Sequence, residues 1–170
     1  MKQRSFASLA YKNKKVTTRR EKFLHEMDQV VPWDRLLNLI EPHYPKAGNG
    51  RKPIPMEVML RIYFLQQWYA LGDQAAEESL YDMESMRNFA GLELTEDAIP
   101  DESTILKFRH LIEKHDLGSA LFDDINAYLV SQGISVSKGS MVDATIIQAP
   151  SSTKNKTGKR DPEMRSTRKN

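Results

Sequence analysis

The sequence predicts a mostly α fold: a helical domain followed by one β-strand near the carboxy end. Three observations predict it. Apolar residues recur at helical spacing from Phe23 to Leu129, the segment 141–147 switches to an alternating period, and basic residues gather at the two ends. Residues 1–22 hold eight Lys/Arg against Glu21 alone, a net +7, and residues 138–170 carry +5. The middle, 23–137, carries −10, so the whole 170-residue chain is only +2. Basic ends on an acidic body suit contact with a polyanion. They equally suit solvated tails.

Residues 1–17 are polar and basic, carry Lys14 and Lys15, and have no sustained period, which predicts a flexible arm. Thr18 and Glu21 have capping-box spacing for a first helix, whose apolar face is Phe23, Met27 and Val30. Pro32 ends it, and a second short helix follows with Trp33, Leu36, Leu37 and Ile40 on one face. Pro42 and Pro45 break that helix. Residues 46–53 form a turn-rich basic loop containing Arg51 and Lys52.

From Pro55 the chain is apolar nearly all round: Met56, Val58, Met59, Leu60, Ile62, Tyr63, Phe64, Leu65, Trp68 and Tyr69. Such a helix belongs at the centre of a helical domain. Leu71-Gly72 closes it, and Asp73 is placed to cap the next helix, with Ala76, Leu80 and Met83 inward. A loop runs from Gly91 to Pro100. Asp101 then caps a helix that turns Ile105, Phe108 and Ile112 inward. The last helix, about 117–130, shows Leu121, Phe122, Ile125 and Leu129, and Gly133 stops it. The predicted helical domain spans 18–133.

MVDATII, 141–147, alternates and is rich in β-branched residues, so it reads as a strand ended by Pro150. Residues 151–170 have almost no apolar side chain and predict a disordered basic tail. A strand alone leaves its backbone groups unpaired, which suggests that more chain once followed. The absence of cysteine excludes disulfides and thiolate metal sites. No window of eighteen apolar residues exists to span a membrane, and the basic start lacks the apolar stretch of a secretory signal. The expected location is the cytoplasm.

On the helix after Asp101, Ser103, Lys107, His110 and Lys114 fall opposite the apolar face. That stripe has the donors of a DNA-reading helix and follows a helix and a loop, as in a helix-turn-helix, although the loop is long for that motif. An ordinary solvated face fits the same spacing. Arg109, about 40° from Ile105, is expected to be held against the body by an acid. His25, His43, His110 and His115 share no metal-ligand spacing. Asp143 sits within the predicted strand, where an acid is costly without a partner or metal. Metal-dependent nucleases place an aspartate so, and an edge-strand acid facing water also fits.

Five segments, HYPKAGNGRKPIP (43–55), MLRIYFLQQWYALGD (59–73), SLYDMESMRNFAGL (79–92), PDESTILKFRHLIEKH (100–115) and VDATIIQAPSSTKNK (142–156), are similar to insertion-sequence transposases of the IS-five group. The resemblance covers the amino-terminal region of that family. It implies a helical DNA-binding region followed by a ribonuclease-H-like domain of the DDE type, with Asp143 on its first strand matching the first acid and holding Mg²⁺. In a complete enzyme three carboxylates hold two Mg²⁺ for phosphoryl transfer. The sequence stops at Asn170, before the second aspartate and the glutamate. It therefore reads as a truncated amino-terminal half whose domain from 138 to 170 is incomplete, which binds no Mg²⁺ tightly and is inactive alone.

The expected partner is double-stranded DNA at the element ends, in the bacterial nucleoid. The expected contacts are Ser103, Lys107, His110, Lys114, Lys14, Lys15, Arg19, Arg20, Arg51 and Lys52. A homo-oligomer or the complete transposase are further partners. The alternatives are a truncated regulator that inhibits the complete transposase, and a decayed gene product without a role.

Overall fold

The computed structural model describes residues 14–48 and 52–134. Arg51, Asp143 and the expected strand 141–147 lie outside the described residues. The chain divides into Met1–Val136 and Ser137–Asn170, the second wholly outside them. The described residues are mostly helical and contain no strand: α1 Arg19–Val30, α2 Trp33–Ile40, α3 Met56–Tyr69, α4 Asp73–Asp82, α5 Glu84–Ala90, α6 Glu102–Lys114 and α7 Leu117–Ser131. A 3₁₀ turn, Glu41–His43, extends α2.

α3 is the centre, as its all-round apolar sequence predicts. Met59, Leu60, Ile62, Phe64, Leu65 and Gln66 are buried on it, and α2, α4, α5 and α6 all pack against it. An apolar helix that short cannot be stable in water, so its surroundings hold it helical. α1 packs on α5, and α7 packs on α2 and α6. The aromatic residues join these layers edge to face: Phe23 meets Trp68 at 5.5 Å, and Trp33 meets Phe64 at 5.5 Å between ring centroids.

Two arginines make charged links between helices. Arg61, on α3, donates to Glu57 Oε1 at 2.9 Å, to Asp28 Oδ1 of α1 at 2.7 Å and to the carbonyl of Phe89 on α5 at 3.0 Å. Its guanidinium also lies 4.4 Å from the Trp33 ring centroid. Arg35 of α2 donates to Asp124 Oδ1 of α7 at 2.6 Å.

The helix ends follow local chemistry. Thr18 and Glu21 form the predicted capping box on α1. The Asp101 side chain caps α6 by accepting from the Thr104 N–H. Asp73, expected as a cap, is instead the first residue of α4, and Gly72 takes the cap position without a side-chain bond. The helix expected after Asp73 is broken at Met83, whose extended backbone (φ −112°, ψ 100°) separates α4 from α5. Phe122, expected inward with Leu121, is exposed: Leu117 and Leu121 are the buried residues of α7. α7 is apolar on both faces, so its period could not choose between them.

α3 ends on Ala70 in the left-handed region (φ 51°, ψ 45°), with the Leu71 N–H bonded back to the Gln66 carbonyl at 3.0 Å. A Cβ is strained there, and glycine is not. Ala70→Gly is expected to raise stability by about 0.5–1 kcal/mol in urea unfolding. Leu60→Ala, which empties fully buried volume, is expected to cost about 2–5 kcal/mol. A destabilised Ala70→Gly protein would mean that the loop after α3 is not strained.

Candidate nucleic-acid interface

α6 is built by a cap and a stripe. Asp101 Oδ1 accepts from the Thr104 N–H at 2.7 Å and from Ser103 Oγ at 2.9 Å. The bonds from Thr104, then Ser103, hold its carboxyl below the usual aspartate range. Ile105, Phe108 and Ile112 are buried, while Ser103, Lys107, His110 and Lys114 are all exposed. The structure therefore brings these four sequence-predicted residues onto one open face, bordered at its start by Asp101 and Glu102.

Arg109 is tethered to acids, as its angle predicts. Its Nη2 donates to Asp73 Oδ2 at 2.9 Å, its Nε to Asp73 Oδ1 at 3.3 Å, and its Nη1 to Glu113 Oε1 at 2.8 Å. Gln66 Nε2 of α3 also donates to Asp73 Oδ1, at 2.9 Å. Arg109 lowers the Asp73 carboxyl below its ordinary value, helped by Gln66 and opposed by burial. The same contacts raise the Arg109 guanidinium. A further link joins Glu77 of α4 to the start of α6, its carboxylate accepting from the Glu102 N–H at 2.7 Å. α4 directly, and α3 through Gln66, thus hold α6 from behind and leave its polar stripe to solvent.

Lys107 stands at the rim of a cavity of about 160 Å³, lined also by Tyr44, Pro45, Pro53, Ile54, Met59, Thr104, Phe108 and Leu111. Tyr44 donates its hydroxyl to the Ile54 carbonyl at 2.6 Å, and burial pushes that hydroxyl up to about 12. The exposed Lys46 and Lys52 each adjoin a proline of this lining, so the basic loop and α6 share one edge. His43 and His115 stack there with ring centroids 4.0 Å apart. Desolvation, then His43 and Lys114, lowers the pKa of His115. Sequence spacing gave no signal for this pair, because the rings come from segments that meet only after folding.

The other predicted cations lie elsewhere. Lys15 and Arg19 are exposed near the start of α1. Lys14 is ion-paired with Glu21. Arg20 turns inward: its Nη1 lies 2.8 Å from Met83 Sδ, and its guanidinium lies 5.7 Å from the Tyr69 ring centroid. Tyr69 ends α3, whereas Met59 of the Lys107 cavity is near its start. The two basic groups are therefore separated by roughly 15 Å along that helix.

Among the described residues, no group of three or more His, Asp or Glu could hold a metal ion, and no helix is long and apolar enough to cross a membrane. A family model described as a transposase domain (DUF772) matches residues 12–111, more than half of the chain, from before α1 through most of α6. No solved structure matches the chain.

Asp73 is held below its unfolded pKa, so its stabilisation is present above that value and is lost as pH falls through the folded value. Asp73→Asn is expected to cost about 1 kcal/mol at neutral pH after solvent screening. It should also flatten the loss of stability below about pH 4. Urea midpoints from pH 6 to pH 2 check this. Parallel curves for the two proteins would remove Asp73 from the clamp.

Proposed function

The chain belongs to the DUF772 transposase-domain family, and from that premise we propose that it binds the ends of an insertion element as the amino-terminal part of a DDE transposase. Its transposase-related function follows from the family. The observation that carries the DNA-binding reading is the exposed stripe Ser103, Lys107, His110 and Lys114 on α6. A recognition element needs a face of donors on a helix that cannot shift, and Asp73, Gln66 and Glu77 supply that rigidity. Lysines give phosphate contact, and Ser103 and His110 can reach base edges. Lys46 and Lys52 of the basic loop extend the positive edge, Arg51 of the same loop is a further proposed contact outside the described residues, and Lys15 and Arg19 offer a second, separate contact. The α4–α5 segment, the loop 91–101 and α6 form a loose helix-turn-helix in this reading.

Asp143 is the proposed catalytic residue, the first of three carboxylates that hold Mg²⁺ for two-metal phosphoryl transfer. It lies outside the described residues, and its role rests on the resemblance of VDATIIQAPSSTKNK to that family. A single carboxylate leaves most of an octahedral Mg²⁺ shell to water. Residues 1–170 by themselves are therefore expected neither to bind Mg²⁺ tightly nor to cut DNA. Site-specific nicking of an element-end duplex that vanishes in Asp143→Ala would overturn that expectation.

Affinity for an element-end duplex should fall with salt at a log–log slope of roughly −0.9 per phosphate contact. Lys107→Ala should make that slope shallower by about one and weaken binding several-fold at low salt. Fluorescence anisotropy across a salt series measures both. Unchanged affinity and slope would take α6 out of the interface. Equal loss in Arg20→Ala would contradict the inward setting of that side chain.

A further inference from the structure

The cavity beside α6 combines a rigid apolar wall with a basic mouth. Tyr44, Pro53 and Ile54 form one side, from the chain between α2 and α3, and Thr104, Lys107 and Phe108 form the other, from α6. No acid is among its lining residues. The apolar side is set before anything binds. Tyr44 donates its hydroxyl hydrogen to the Ile54 carbonyl at 2.6 Å, and the Phe108 ring meets Tyr44 at 6.0 Å and Tyr63 at 6.3 Å between centroids. A proline ring has no rotamer freedom to lose. At about 160 Å³, the cavity is smaller than the roughly 300–1,000 Å³ of ordinary small-molecule sites. It holds one ring system, not a whole metabolite. The exposed Lys107 is part of the lining, and the exposed Lys46 and Lys52 each adjoin a proline of it. Lys107 also acts on Asp101, whose carboxylate is already occupied by the Thr104 N–H and Ser103 Oγ.

We propose that this cavity receives one unstacked thymine base of bound DNA, with the adjoining phosphates on the lysines at its mouth. The inference rests on the DNA-binding reading above and adds which part of the DNA enters the protein. Charge complementarity carries the choice of occupant. An aromatic slot under a cationic rim matches a flat base still joined to its anionic backbone. Lys107 belongs both to the α6 stripe and to the cavity, so a strand that follows the stripe passes the mouth. A base that leaves the duplex gives up its stack, and the Tyr44 ring supplies another.

The polar groups of the lining select the base. Lys107 has donors and no acceptor, and Thr104 has one hydroxyl. Thymine meets donors well, since its exocyclic groups are two carbonyl oxygens and a methyl group. Adenine, cytosine and guanine each carry an exocyclic amine, whose two donors need acceptors that this lining is short of. An amine left unmet in an apolar slot is costly. The thymine methyl group adds apolar contact with Phe108 and with the buried Met59, which also lines the cavity.

The test uses the full chain and one short fluorescein-labelled duplex in four forms: fully paired, or with a single unpaired thymine, adenine or abasic nucleotide at the same place. Fluorescence anisotropy should show the thymine form bound about tenfold more tightly than the abasic form, the effect of one stacked base, and more tightly than the adenine form. Thr104→Leu fills the mouth with a methyl-rich side chain and keeps the Thr104 N–H that serves the Asp101 cap. It should abolish the thymine preference and leave affinity for the paired duplex within about twofold. Tyr44→Leu removes the stacking ring and should do the same, with helical circular dichroism confirming that each variant is folded. Equal binding of the thymine and abasic forms, or of the thymine and adenine forms, overturns the proposal while binding of the paired duplex upholds the DNA-binding reading. A thymine preference that survives in both folded variants overturns it too, because the base then sits elsewhere. Failure to bind any of the four forms overturns both.

Discussion

The rest of the fold depends on how one helix is surrounded. α3 is apolar nearly all round, with Glu57 and Gln67 its exposed polar residues, and four helices pack against it. Arg61 carries a positive charge into that packing, its side chain only 14% exposed. An ion so placed is costly unless it is well partnered. Here the acids Glu57 and Asp28, the Phe89 carbonyl and the ring of Trp33 satisfy it together. Because those partners come from α1, α5 and the start of α2, the guanidinium fixes which helix lies on which side of α3. Hydrophobic burial alone would accept several arrangements of short apolar helices. The directional demands of one guanidinium discriminate among them.

A similar device at the other end of α3 serves the candidate interface. Gln66 and Arg109 both bind Asp73, so a central helix, the first turn of α4 and the middle of α6 share one carboxylate. The polar stripe of α6 is therefore set by groups behind it, of which Gln66 is buried and Asp73 and Arg109 are partly buried. The histidine stack joins the 3₁₀ turn after α2 to the end of α6, and the Tyr44 hydroxyl bonds the chain at Ile54. The cations fall into two sets, one at each end of α3, and part of the amino-terminal charge is spent internally on Glu21, Met83 and Tyr69.

Much of this was legible in the sequence where the determinant is local. The Thr18–Glu21 box, the Asp101 cap, the centrality of α3 and the outward stripe of α6 all follow from spacing within one helix. The tether of Arg109 was foreseeable from its angle, though its partner was not, because Asp73 lies 36 positions away. That distant demand is also why Asp73 fails as a cap: its carboxylate is engaged by Gln66 and Arg109. Phe122 was misplaced because α7 offers apolar residues on two faces and periodicity does not say which neighbour arrives. Arg20 drew attention as one of a run of basic residues, whereas Met83 and Tyr69 capture it.

The link between Arg35 and Asp124 joins positions 89 residues apart, and that separation orders events in time. α6 and α7 form a local hairpin through His115 and Asp116, but α2 and α7 can meet only when the intervening helices have already brought their ends together. The entropy of closing so long a loop must be met before the contact gives anything back. Docking of α7 on α2 thus comes late in folding, and in the native state it belongs to the outer, more readily opened layer. Amide protons of α3 would then exchange through global unfolding, while those of α7 could exchange through a smaller excursion that leaves the central helix in place.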